Sequence, residues 1–271
     1  MELCIAYILF LLIGLTLGLI GGGGSLLSVP VLVYLFHMPV DEATGYSLFI
    51  VGITSLIGAF SFVKKGEISF EALLQFALPS LVTVFCVRKF LIPALPSEFF
   101  SAGDFVVTKQ VMIMCLFAVL VVISSFSMIR TRRVNDRVDA MWAEFAKSPL
   151  RLPFVLFLGI FVGFIAGFIG AGGGFIIVPV LIFFLRIPMK KAIGTSLCII
   201  AINSLIGFSG NIGHMPIDWK FLIVVSTICI AGILLGNMVS VKISPARLKS
   251  GFGWFTLIVG IFVIVKEIVI K

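Results

Sequence analysis

Residues 14–32 read GLTLGLIGGGGSLLSVPVL, and residues 163–181 read GFIAGFIGAGGGFIIVPVL. Each stretch is an apolar segment interrupted by glycines: Gly21-Gly22-Gly23-Gly24 in the first, Gly170-Ala171-Gly172-Gly173-Gly174 in the second. A glycine inside a helix costs about 1 kcal/mol relative to alanine, so several in a row break the helix. Two such breaks at corresponding places in two halves of an apolar chain are the signature of discontinuous helices around a transport site.

The correspondence extends far beyond the glycines. Shifted by 149 residues, 14–70 aligns with 163–219 without a gap, and 22 of the 57 pairs are identical. Gly14 and Gly18 fall on Gly163 and Gly167, Val29-Pro30-Val31-Leu32 on Val178-Pro179-Val180-Leu181, and Pro39 on Pro188. Gly45, Ser47 and Leu48 fall on Gly194, Ser196 and Leu197, and Ser55-Leu56-Ile57-Gly58 on Ser204-Leu205-Ile206-Gly207. The same shift carries Pro96 onto Pro245. Chance likeness between leucine-rich helices does not put glycines and prolines in register.

Composition places both halves in a bilayer. Of 271 residues 61% are hydrophobic and 12% charged, with a mean hydropathy of +1.26. A soluble domain carries about 25% charged residues. The net charge of +8 therefore speaks for loop topology and anionic lipid headgroups, not nucleic acid. Met1-Glu2-Leu3-Cys4 lacks the basic region of a signal peptide, so no removable targeting segment is expected. Five scattered cysteines without a CxxC pair read as packing residues rather than a disulfide framework or zinc site.

Each half divides into five apolar elements, at 3–21, 25–36, 43–63, 69–92 and 105–129, then 152–169, 175–185, 192–210, 217–241 and 250–266. The second element of each is too short to span. About 12 helical residues rise about 18 Å, against a hydrocarbon core of about 30 Å. It is expected to be a half-helix starting just after the glycines, in a hairpin with the element before it. The fold class is an all-α polytopic membrane protein with two inverted-topology repeats, each a glycine-broken hairpin plus three transmembrane helices. Repeat one covers 1–130 and repeat two 151–271. The linker 131–150 is expected to be cytoplasmic, either a solvated connector or an amphipathic helix with Val134, Val138, Met141 and Phe145 on one face.

Loop charges support inversion. The loop after the half-helix carries Asp41 and Glu42 in repeat one but Arg186, Lys190 and Lys191 in repeat two; the next carries Lys64-Lys65, against His214 and Asp218. With the basic linker inside, both termini lie outside. Arg88 and Lys89, at an end assigned to the outside, run against the rule.

No charged residue falls near the centre of an expected span, and His37 and His214 read as solvated. A midplane site must then use backbone and neutral polar groups. The candidates are Gly22, Gly23 and Gly24, with Ser25 as a cap of the first half-helix, and Gly172, Gly173 and Gly174 in the second. A half-helix N-terminus offers unpaired N–H groups and a positive dipole end to an anion. The next helix adds a polar stripe: Ser47, Thr54 and Ser55 in repeat one, Thr195, Ser196, Asn203 and Ser204 in repeat two. Glycine packing and interhelical hydrogen bonding explain the same residues without a ligand. The spaced glycines read as packing positions and the contiguous runs as helix breaks.

The doubled motif, with Gly45-Tyr46-Ser47-Leu48 and Gly194-Thr195-Ser196-Leu197 downstream and Gly213-His214-Met215-Pro216-Ile217-Asp218-Trp219, resembles the sulfite exporter TauE/SafE family. The resemblance implies a bacterial or archaeal inner-membrane carrier for a small sulfur-containing anion such as sulfite, thiosulfate or an organosulfonate. Repeat one has Ser69-Phe70 in place of Asp218-Trp219, so no role of that pair is symmetric. The leading expectation is a secondary transporter working by alternating access. An uncoupled channel-like facilitator is the runner-up, with a membrane-embedded enzyme or a structural subunit behind it. HExxH, GxSxG and ATP-binding motifs are missing from the sequence, so neither an enzyme, a metal nor a cofactor is expected. The partners are the substrate anion and the bilayer, and a homodimer is compatible with both; proton or sodium coupling is not legible.

Overall fold

The computed structural model describes residues 2–96, 98–102, 105–129, 148–240 and 245–268. Ten helices carry the fold among them. In the first half they are α1 (Glu2–Ile20), α2 (Ser25–Tyr34), α3 (Val40–Lys64), α4 (Phe70–Ala94) and α5 (Lys109–Ile129). In the second they are α6 (Arg151–Ile169), α7 (Gly174–Phe183), α8 (Met189–Asn211), α9 (Trp219–Ser240) and α10 (Pro245–Ile268). The first four helices of each half start 149 residues apart, the offset of the sequence repeat.

Among the described residues, six helices (α3, α4, α5, α6, α8 and α9) are long and apolar enough to cross a membrane. The chain is a helical polytopic membrane protein. Helices α2 and α7, with 10 residues each, rise only about 15 Å and do not cross. Both turn out of the helix through a left-handed non-glycine residue, His37 at φ 53° and its repeat mate Arg186 at φ 55°. The amphipathic helix considered for 131–150 falls on residues that, up to 147, lie outside the described ones.

Several boundaries differ from expectation. Helices α3 and α8 begin three residues early, at Val40 and Met189, because Pro39 and Pro188 serve as N-caps with extended backbone. In α3, Asp41 and Glu42 then sit in the first turn, where the helix dipole favours carboxylates. Residues 105–108, expected to be helical, form a strand (Phe105–Thr108) paired antiparallel with Glu98–Ala102. The segment Phe105-Val106-Val107-Thr108 is aromatic and β-branched throughout, which suits a strand better than a helix start.

Packing explains the spaced glycines. A Cβ on Gly14 would strike the Cys229 carbonyl, and one on Gly18 would lie 2.8 Å from the Asn237 nitrogen, so α1 and α9 touch backbone to backbone. Gly163 meets Ser80, and Gly167 lies against Val84 and Val87, in the same way between α6 and α4. Close approach of this kind needs small residues, the usual solution where lipid supplies no hydrophobic drive between helices.

The main interfaces exchange when the halves are exchanged. The α1–α9 contact corresponds to α6–α4, and α3–α9 to α8–α4, while α3–α8, α5–α10 and α2–α7 correspond to themselves. Helices α3 and α8 run antiparallel. Gly45, near the start of α3, meets Met215 and Asn211 at the end of α8, and Gly194, near the start of α8, meets Phe62 and the Glu67 carbonyl at the end of α3.

Candidate functional site

The two glycine breaks meet each other. A Cβ on Gly22 would lie 2.8 Å from Gly174 Cα, and one on Gly174 would lie 2.6 Å from Gly22 Cα. Their depth follows from their neighbours. Gly172 packs against Val51 and Ile200, residues at mid-length of α3 and α8. The N-termini of α2 and α7 therefore converge halfway along the two most buried spans. Gly22 at φ 146° and Gly173 at φ 71° occupy backbone that other residues rarely adopt.

The sequence candidates separate once their partners are known. Gly24 is the N-cap of α2 and carries no side chain. Ser25 is already helical, and its hydroxyl does not cap: it donates backwards to the Gly22 carbonyl at 2.7 Å. Ser28 donates to the Ser25 carbonyl and shares a 2.6 Å hydrogen bond with Ser47, so Ser47 ties α3 to the half-helix. Ser196, its repeat mate, donates to the Gly21 carbonyl at the first break. Thr54 bonds back to Ile50 in its own helix. Asn203, the one amide of the stripe, is paired across helices with Ser80 at 3.0 Å.

Thr195 has a different task. Its hydroxyl accepts the Ser69 N–H at 3.0 Å, at the start of α4. In the other repeat the Tyr46 hydroxyl accepts the Asp218 N–H at 2.7 Å, at the start of α9. The Tyr/Thr position of the doubled G-[YT]-S-L motif thus clamps the entry of the fourth helix of the opposite half. Asp218 adds a cap of its own, accepting the Phe221 N–H at 3.1 Å.

Within the polar stripe two buried hydroxyls keep no partner, those of Ser55 and its repeat mate Ser204. The Ser204 Oγ lies 2.7 Å from where a Gly172 Cβ would stand. Of the stripe residues, it is the one aimed at a break with a free hydrogen bond.

The sequence reading missed a cation. Arg88, assigned to an outer helix end, is 1% exposed and is the largest fully buried side chain described. Its Nη1 donates to the Thr44 hydroxyl at 2.9 Å, and its Nη2 lies over Gly170, where a Cβ would strike it. Its Nε and Nη2 have no partner, and neither of the two ion pairs among the described residues, Lys109–Asp41 and Arg151–Glu71, includes it. Ionisable residues inside membrane helices are costly and rare, which makes Arg88 a candidate functional residue. A cationic side chain that is not among the sequence candidates thus reaches the second break. A signal was available, because the 149-residue shift places Arg88 on Asn237, a repeated polar position in apolar surroundings.

A cavity of about 530 Å³ opens between the start of α3, the end of α4, the start of α5 and the end of α8. Asp41, Lys109, Ile92, Asn211 and His214 are among its lining residues.

Comparison with known proteins agrees with this architecture. Residues 6–263 match the family described as "Sulfite exporter TauE/SafE". A probable membrane transporter protein of Xylella fastidiosa is 30% identical over 257 residues, covering 93% of this chain and 91% of its own. The probable membrane transporter protein YdhB of Bacillus subtilis is 27% identical, with 96% and 99% covered. One from Methanocaldococcus jannaschii is 26% identical, with 94% of each covered. No solved structure matches the chain. A match that spans both glycine breaks and nearly every helix is enough to place the chain: it belongs to the sulfite exporter TauE/SafE family, whose members are membrane transporters and not enzymes.

Proposed function

We propose that the protein is a secondary transporter moving a small sulfur-containing anion, of the sulfite, thiosulfate or organosulfonate type, across the inner membrane by alternating access. The observation that carries this reading is the convergence of two half-helix N-termini, Gly22 against Gly174, at mid-length of antiparallel α3 and α8. Non-helical backbone at membrane depth is tolerated where protein buries it or a cavity hydrates it, and positive helix ends there suit an anionic substrate. The two halves, 1–130 and 151–271, act as inverted repeats joined by a cytoplasmic linker, with both termini outside. Rocking one half against the other opens the breaks to each side in turn.

Within this reading Gly22, Gly23, Gly24, Gly172, Gly173 and Gly174 form the backbone cradle, with Ser204 as its free hydroxyl. Ser25, Ser47, Thr54, Thr195, Ser196 and Asn203 hold the cradle and the spans around it in place. The test is flux of radiolabelled sulfite, thiosulfate and methanesulfonate into proteoliposomes, with and without proton and sodium gradients. Saturable flux driven by one of the gradients is expected. Flux that no gradient drives uphill reduces the protein to a facilitator, and an absence of flux for every anion overturns the reading.

A further inference from the structure

We propose that Arg88 and Asn211 form an oxyanion-binding site beside the Gly170 turn, just behind the cavity wall made by Ile92 and Asn211. The proposal rests on the transport reading for its place in a substrate path, but its chemistry stands on geometry. The two unpartnered nitrogens of Arg88, Nε and Nη2, lie along one edge of the guanidinium. That edge holds two oxygens of a single oxyanion as a bidentate fork. The other prong, Nη1, is fixed by Thr44, whose own hydroxyl is in turn held by the Asp41 carbonyl at 3.1 Å. The fork is therefore oriented before a ligand arrives.

Asn211 adds a third donor. It is 6% exposed, and its Nδ2 has no partner. It lies 3.0 Å from where a Gly45 Cβ would stand, and Gly45 follows Thr44 in the chain. Gly210, the preceding residue, packs against Arg88 Cβ, which brings the two side chains to one corner between α3, α4 and α8. All three free groups are donors. A buried water would satisfy hydrogen bonds there; Asp41 acts on the charge only through space, so an anion at the fork would satisfy both hydrogen bonds and charge directly.

The backbone around Arg88 is unusual in a matching way. Residues Val87–Leu91 form a π-turn within α4, a rare feature that is frequent at functional sites. Pro93 has no N–H to give the Lys89 carbonyl, so regular α-helix cannot continue through this turn. The nearest carboxylate, Asp41, is held by Lys109 at 3.0 Å and does not offer the guanidinium a direct partner. The cavity that Ile92 and Asn211 line also carries Lys109 and His214 on its walls.

The ligand chemistry is an oxyanion with at least two oxygens on one centre. Sulfite, thiosulfate, sulfate and acetate distinguish sulfur oxyanions from a plain carboxylate, and chloride serves as a monatomic competitor. Purified full-length protein in lipid nanodiscs is titrated with each, reading thermal stabilisation. Flux is read separately in proteoliposomes. Wild-type protein is expected to be stabilised by sulfite or thiosulfate at lower concentration than by chloride. Arg88→Gln should raise the half-saturating concentration about tenfold or more, Arg88→Lys by less, since lysine keeps the charge without the fork, and Asn211→Ala about threefold. Wild-type half-saturation in Arg88→Gln overturns the site while leaving transport standing if flux persists. Arg88-dependent binding without flux keeps the site and overturns the transport reading. If Arg88→Gln does not yield monodisperse protein, wild-type behaviour of both Arg88→Lys and Asn211→Ala overturns the site. Lack of stabilisation of the wild type by every oxyanion also overturns it.

Discussion

The first and second glycine breaks share a backbone and differ in what surrounds it. At the first, a Cβ on Gly21 would meet Ile193, the equivalent Arg88 position is Asn237, and the equivalent of Asn211 is Phe62. At the second, Gly170 meets Thr44 and Arg88, and Asn211 stands where the first has the phenylalanine ring. One duplicated device has thus been kept as geometry on both flanks and furnished with charge on only one. In the transport proposed above, symmetry of shape would serve the alternation of two states, whereas asymmetry of chemistry would set which flank meets an anion with a cation. A carrier needs the first for motion and can use the second for selectivity.

The largest effect tests whether the flanks face opposite sides. Cysteines introduced at 41 and 190, both exposed positions, should label all-or-none in intact cells: position 41 with an impermeant reagent from outside, position 190 only after permeabilisation. Equal labelling from outside ends the inverted arrangement.

Next come the tips. Gly22→Val and Gly173→Val place a β-branched residue at φ 146° and 71°, against Gly174 Cα at 2.8 Å and Ala166 Cβ at 2.6 Å respectively. Backbone strain of about 1–3 kcal/mol and overpacking of a similar size are expected at each. Flux should fall below detection in both variants, with insertion retained. Full flux in either one would remove that break from the mechanism.

The third measurement sharpens the asymmetry itself. Asn237→Ala should change apparent anion affinity less than Arg88→Gln does, because a neutral amide contributes about 0.5–1.5 kcal/mol where a charged fork contributes about 1.5–3. A loss at Asn237 as large as that of Arg88→Gln would mean both flanks bind, and the contrast between them would disappear.

The smallest effects belong to the repeat mates Asn203 and Thr54. Asn203→Ala breaks the bond to Ser80 and should lower stability by about 0.6–1.7 kcal/mol, the range for hydrogen bonds between membrane helices. Thr54→Val removes only a bond within its own helix and should stay within about 0.5 kcal/mol. Denaturation in mixed micelles measures both. A drop in anion affinity without loss of stability at Asn203 would return it to the binding site.

Much of this was legible in the chain. The duplication, the short second helices and the central position of the glycines followed from residues whose backbone preferences are strong and local. Half-helix α2 begins at Ser25 as expected, and α7 at Gly174, one residue before its expected start, since four adjacent glycines or their near-copy leave a helix no other place to begin. The prolines at 39 and 188 also mark true boundaries, although the helix starts lie closer to them than the apolar pattern suggests.

Side-chain partnership was not legible. Periodicity puts Ser47, Thr54, Thr195, Ser196 and Asn203 on shared faces, but a face does not say whether it meets Ser28, Ser69, Gly21, Ser80 or a cavity. Arg88 is the clearest case. In one dimension it stands near the end of an apolar run and reads as an interfacial residue. Only the packing of α4 against α6 brings its guanidinium over Gly170, and only the end of α8 closes over it. Sequence alone determines where the backbone must break, because glycine and proline act through local torsions. Which charge the break receives is decided by helices distant in sequence, through contacts that no local preference encodes.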